Sequence, residues 1–243
     1  MVDAAIDCYG PQKWNNDNKR NFRSNYIQLP LIINEPYKHD MPLDMQKALA
    51  DSKGCFTIVY LGRIDPVKLN HSELPLLTLI EAAYHFKIKN YHFKILYIGD
   101  GDSLLTERMK VMVNEKELDS CVKFLGFKAN VNEYICHADI GIGGIALNTV
   151  CQEFATYHIP QILVDNHENF ETPWKDKETT LFIKPNDLQS LIETIEYAMN
   201  NKTELRNIAE NAYIMTRQYI NEPKAGGRKF ISAYNQILEN KTE

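Results

Sequence analysis

From Cys55 onward, short apolar runs alternate with segments in which apolar residues return every three or four positions. The runs Phe56 to Leu61, Phe93 to Ile98, Val122 to Leu125, Asp139 to Ile142, Ile159 to Val164 and Thr180 to Ile183 show no strict alternation. Strands buried on both faces read this way. Between them Leu76, Ile80, Ala83 and Tyr84, then Leu105, Met109 and Met112, then Val150, Phe154 and Tyr157 recur at helical spacing. Strands alternating with helices predict an α/β fold: a Rossmann-like three-layer α/β/α arrangement around a mainly parallel sheet. After the last strand the pattern turns helical. Leu188, Leu191, Ile192, Ile195 and Met199 follow a capping pair, Asn186 and Gln189, and further helices are expected from about Glu204 and about Lys224. Ahead of Gly54 the chain is polar and irregular, broken only by the run IQLPLII. Residues 1–53 therefore read as a linker and entry segment, and 54–243 as the folded domain with a helical C-terminal tail.

Composition narrows the function classes. The 243 residues are 44% hydrophobic, enough for a sizeable core, and the net charge of -5 argues against a nucleic-acid surface. Five scattered cysteines with no C-x-x-C spacing fit reduced thiols in a cytoplasm better than disulfides or zinc. No apolar run reaches the ~18 residues of a membrane span, and the start lacks the pattern of a signal peptide. None of the seven histidines stands at metal or triad spacing with a Cys or carboxylate.

Open parallel sheets bind ligands beyond the carboxyl ends of their strands, so the loops that follow the strands hold the candidate chemistry. In YLGRIDPVKLN, a glycine turn is followed by Arg63 and Lys68, two cations able to grip a diphosphate or simply to sit in solvent. Gly141, Gly143, Gly144 and Ala146 fall between a predicted strand and helix, where free N–H groups welcome an anion and where small residues also permit close packing. Glu153 follows on that helix, placed to accept hydrogen bonds from a ribose or to face solvent. The turns FLGF (Phe124 to Phe127) and IGDGDS (Ile98 to Ser103) are weaker signals, more often mere turns. A rival reading uses the same glycines. Gly141, Gly143 and Ala146 satisfy G-x-G-x-x-G/A, with Asp165 near the place of a ribose-binding acid in an NAD(P)-dependent oxidoreductase. Three strands precede that motif, however, where a dinucleotide fingerprint opens its sheet.

The order of segments GRIDPVK, FKILYIGDGD, VKFLGF, NEYICHADIGI, CQEFATYHIPQILVD and TLFIKPNDLQSLIETI resembles the C-terminal, donor-binding half of the family 4 (group 1) glycosyltransferases of the GT-B fold. The resemblance implies a donor substrate, a UDP-sugar or another NDP-sugar, with no cofactor and no metal. It implies that Arg63 and Lys68 hold the donor diphosphate and stabilise it as it leaves, and that Glu153, as the second acid of an E-x7-E motif, binds the ribose hydroxyls. By the same resemblance Phe127 and Lys128 meet the base, and Gly143, Gly144 and the N–H groups through Asn148 line phosphate and sugar. Ile145 stands where the motif has its first glutamate, which keeps open a non-catalytic nucleotide-sugar-binding module. The acceptor, a glycan or lipid, would be met by an N-terminal domain of the full-length protein or by a partner chain, so this chain alone is expected to bind donor and transfer nothing. The setting implied is polysaccharide or glycolipid synthesis in the cytoplasm, with a peripheral place at the inner membrane face open to it.

Overall fold

The computed structural model describes residues 5–7, 26–28, 36, 39–50, 54–66, 75–145, 149–165, 173–217, 228, 231–232 and 234–235. Two short strands, β1 (Ala5–Asp7) and β2 (Tyr26–Gln28), pair in parallel. The main sheet comprises β3 (Phe56–Leu61), β4 (Phe93–Ile98), β5 (Val122–Gly126), β6 (Ile140–Ile145), β7 (Gln161–Val164) and β8 (Leu181–Ile183). Its spatial order is β5-β4-β3-β6-β7-β8, and every adjacent pair is parallel. The chain winds outward from β3 to β5, then returns to the other side of β3 to begin β6. That reversal makes the carboxyl ends of β3 and β6 the switch point of the sheet, where folds of this kind form the crevice that takes a ligand.

Seven helices are described: α1 (Leu43–Ala48), α2 (Leu76–Ile88), α3 (Ser103–Glu115), α4 (Asn132–Ile135), α5 (Thr149–Thr156), α6 (Leu188–Asn200) and α7 (Lys202–Arg217). All six residues of β3 are buried, which explains why its sequence does not alternate. Phe56, Ile58 and Tyr60 enter one core with residues of α2, α3 and α6. Val59 and Leu61 enter the opposite core with Met45 of α1, Tyr134 and Ile135 of α4 and Phe154 of α5. The sheet is thus the middle of three layers, as expected. Met45 and Ala48 are buried there, so the last part of the segment read as a linker packs onto the domain. Phe154 is wholly buried, and Phe154→Ala is expected to cost about 3–5 kcal/mol, read as a lower urea midpoint.

Local chemistry sets the helix ends. Asp102 caps α3 by accepting from the Leu105 N–H at 2.7 Å. The cap of α6 is Asp187, which accepts from Ser190 N–H at 2.9 Å, one residue later than the expected Asn186. Asn186 instead takes a left-handed turn conformation (φ 53°), and Gln189 reaches forward to Glu193 rather than back to the cap. Tyr84, expected in the core, is exposed, with the Lys116 ammonium 4.8 Å from its ring centre. The inward face of α2 is filled by Leu76, Leu79, Ile80, Ala83 and Phe86, which leaves Tyr84 outside it. The expected helix from about Glu204 begins at Lys202. The one expected from about Lys224 lies largely outside the described residues.

Candidate functional site

The turns after β3, β4 and β5 are joined through their backbones. Gly62 N–H donates to Ile98 C=O at 3.0 Å, and Gly99 N–H to Gly126 C=O at 2.9 Å. Ile64 N–H reaches Asp100 C=O at 3.0 Å, and Asp102 N–H returns to Ile64 C=O at 2.8 Å. A Cβ on Gly99 would lie 2.1 Å from the Gly62 carbonyl oxygen, and one on Gly101 would lie 2.2 Å from that of Ile64. The glycines of IGDGDS therefore allow two backbones to touch, which is the plainer of their two readings. Arg63 rises from this lattice. Its side chain is 73% exposed and its guanidinium meets Asp65 at 3.1 Å, leaving donors for a second anion. The Tyr60 hydroxyl donates to the Arg63 carbonyl at 3.3 Å and steadies the turn from below. Lys68 lies outside the described residues.

The glycine unit differs from expectation. β6 continues through Ile145, so Gly141, Gly143 and Gly144 lie within a strand and not in the turn after it. A Cβ on Gly141 would come within 2.5 Å of the Phe154 ring, so this glycine serves to seat α5 against the sheet. The pairing with β7 shifts between Ile142 and Gly144, and Gly144 has φ 81°. Such a bulge bends the strand end, here beside the crevice. Gly143 has room for ordinary contact with Gln161, Leu163 and Val150, each at 3.5 Å from an added Cβ. Ile145 ends the strand opposite Val164. Ala146 and Asn148 lie outside the described residues. The dinucleotide reading loses support on two counts: its first glycine backs onto a phenylalanine, and its motif sits on the fourth strand of the sheet.

Glu153 stands on α5 between buried Gln152 and Phe154 and is itself half-buried. Its carboxylate has no hydrogen-bond or ion partner among the described residues, and burial alone raises its pKa above the ordinary carboxylate range. A half-buried acid without a partner is costly for the fold, and such groups gather where a ligand is to be met. The direct pairing of β3 with β6, Ile58 to Ile140 and Tyr60 to Ile142, puts the Arg63 turn and the β6–α5 unit on the two strands that bound the crevice.

Phe127 and Lys128 follow β5. The Phe127 side chain is 68% exposed. The Lys128 ammonium makes a 2.7 Å ion pair with Asp44 of α1 and lies 5.4 Å from the centre of the Tyr134 ring. The Tyr134 hydroxyl donates to Asp44 at 3.0 Å. Burial opposes ionisation of Asp44, yet the bonds from Lys128 and Tyr134 outweigh it and hold its carboxyl below the ordinary range. The bond to Asp44 in turn raises the pKa of Lys128 against its own burial.

The sequence profile described as Glycosyl transferases group 1 matches residues 44–215. The chain belongs to that family. A comparison with curated proteins finds no match. Among solved structures, this chain resembles sucrose-phosphate synthase from Thermosynechococcus elongatus, with TM-score 0.73 and 16% identity over 99% of this chain and 59% of that one. It resembles Anabaena HepE, solved with UDP and glucose, with TM-score 0.68 and 16% identity over 86% of this chain and 56% of that one. The C-terminal domain of a group 1 glycosyl transferase (LpcC) from Francisella tularensis matches at TM-score 0.59 and 17% identity, over 76% of this chain and 97% of that domain. At these identities the likeness is one of fold. The chain spans little more than half the length of HepE.

Among the described residues of this group 1 family member, a cleft lies away from the crevice. It holds about 190 Å³ among Phe56, Asp139, His158, Pro160, Lys202 and Arg206, at the amino ends of β3, β6 and β7 and so on the edge opposite Arg63. Two residues next to the candidate site escaped the sequence reading, Asp44 and Tyr134. They are 90 positions apart, so no local pattern links them. Among the described residues no helix is long and apolar enough to cross a membrane.

Proposed function

We propose that this chain is the donor-binding half of a GT-B glycosyltransferase and that it holds a nucleoside diphosphate sugar in the crevice between β3 and β6. The observation that carries the reading is Glu153, a half-buried carboxylate with no partner among the described residues, on the helix that follows β6. A carboxylate there accepts two hydrogen bonds from the vicinal hydroxyls of a ribose. Arg63 supplies a planar fork for the diphosphate oxygens, with Lys68 beside it in sequence, while Gly143, Gly144 and the backbone through Asn148 line phosphate and sugar. As the bond between sugar and diphosphate breaks, negative charge grows on the leaving oxygen. Fixed donors aimed at that oxygen lower the barrier without a metal or cofactor. The UDP held by HepE supports a uridine nucleotide as the first to try. Acceptor contacts fall to an N-terminal half or a partner chain, the acceptor being a glycan or lipid of surface polysaccharide or glycolipid synthesis, in the cytoplasm or at its membrane face.

The test is thermal shift and titration calorimetry with UDP, GDP, ADP and NAD. One nucleoside diphosphate is expected to bind and NAD is not; a response to NAD alone overturns the proposal in favour of an oxidoreductase. Arg63→Ala is expected to weaken the nucleotide by about ten- to a hundredfold, from loss of one charge-assisted contact. Ile145, in place of the family's first acid, favours a second reading in which the domain binds donor but catalyses nothing. Transfer by the full-length protein that Glu153→Ala abolishes rejects that second reading.

A further inference from the structure

We propose that Asp44, from the segment ahead of the sheet, is a positioning residue for the turn at residues 126–128 on the base side of the donor. The inference rests on the donor reading above and extends it to a residue that neither motif nor spacing marks.

The turn is held at two points. Gly126 C=O accepts from Gly99 N–H at 2.9 Å, which ties the turn to the loop after β4. The second point is Lys128, bound to Asp44 at 2.7 Å. Between the two, Phe127 projects with 68% of its surface exposed, at the ligand edge of the sheet. Asp44 is itself fixed: it accepts from the Tyr134 hydroxyl at 3.0 Å and from the N–H of Met45 at 3.0 Å. Met45 is wholly buried, and it shares a core with Tyr134. One carboxylate therefore connects α1, α4 and the turn after β5. The Lys128 side chain is only 20% exposed. Without Asp44 its ammonium would sit over the Tyr134 ring with no anion, and the cheapest relief is to swing out to water and draw Phe127 with it. Phe127 is an apolar face next to a fixed cation, suited to the edge or face of a nucleobase. A diphosphate held by Arg63 makes no use of it.

That difference supplies the test. In the 243-residue chain, affinities for UDP, GDP, ADP and inorganic pyrophosphate are measured by calorimetry for the wild type, Asp44→Asn, Asp44→Glu and Tyr134→Phe. Asp44→Asn is expected to weaken the preferred nucleotide about fivefold, the size of one partly exposed ion pair, and to leave pyrophosphate unchanged. Asp44→Glu restores part of the loss, and Tyr134→Phe, which deletes one hydroxyl, gives a smaller loss in the same direction even if Asp44→Asn fails to fold. Equal weakening of nucleotide and pyrophosphate, or no weakening of either, overturns the inference. Glu153→Ala in the same series separates the two claims. If it abolishes nucleotide binding while the Asp44 and Tyr134 variants bind as wild type, only the positioning role fails. If Glu153→Ala binds as wild type, the donor reading itself is wrong.

Discussion

Replacing Glu153 by alanine is expected to lower affinity for the cognate nucleoside diphosphate by about a hundredfold or more, from two charge-assisted hydrogen bonds of roughly 1.5 kcal/mol or above each. The same position yields a sharper prediction from its electrostatics. Burial raises the pKa of the Glu153 carboxyl above its ordinary value of 4.5. An acid whose pKa is higher folded than unfolded favours the native state only while both forms are protonated. As pH rises past 4.5 the unfolded chain ionises first, and stability is lost until the folded carboxyl has ionised too. Glu153→Gln removes that penalty and keeps the shape. The variant is therefore expected to melt at a higher temperature than wild type at neutral pH, to lose the advantage in acid near and below pH 4.5, and to bind nucleotide poorly throughout. A Gln variant that is both less stable and fully competent in binding would mean that Glu153 is an ordinary structural residue. Wild-type binding should also weaken on acidification sooner than a normal glutamate would dictate, because the proposed contact has ribose hydroxyls donating to the ionised form.

Gly99→Ala is expected to destabilise the fold by about 2–4 kcal/mol, combining backbone strain with overpacking. The new Cβ would lie 2.1 Å from the Gly62 carbonyl oxygen, a backbone atom with no freedom to give, at a φ of 132°. Gly54→Ala is the internal control. It also has a positive φ, 80°, but nothing lies within 4 Å of its added Cβ, so only the conformational cost of about 1 kcal/mol remains. Urea midpoints compare the two. Because the clash falls on the residue before Arg63, Gly99→Ala should further weaken nucleotide binding at temperatures where the variant is still folded. Equal destabilisation by both substitutions would show that the contact between the two turns is looser than its geometry indicates.

The strands were legible because burial on both faces of a parallel sheet leaves unbroken apolar runs, as Phe56 to Leu61 and Phe93 to Ile98 do. Helix caps were less legible, since Asn186 and Asp187 are both good candidates and only backbone conformation chooses between them. That the glycines near Gly143 lie inside β6 and not in the turn after it was not legible, for a physical reason. Gly141 answers to a phenylalanine thirteen residues later on another element, and a run of glycines in sequence does not say whether the space it leaves is filled by a ring or by a ligand. Arg63 and Glu153 could be named as candidates because Arg63 lies in the turn after one readable strand and Glu153 on the helix after another. Asp44 could not, for its role depends on α1 folding back against β5 and α4, a meeting of distant segments that only the tertiary structure creates.

The lattice of main-chain bonds among the first three strand ends also has a bearing on how this protein can vary. Since Gly62, Ile64, Gly99 and Gly126 share one network, lengthening any of these turns by a residue would displace its neighbours as well. Length changes at this rim are therefore coupled across three turns. Side-chain exchange at Phe127, which is exposed and stands outside the network through its side chain, leaves the turns in place.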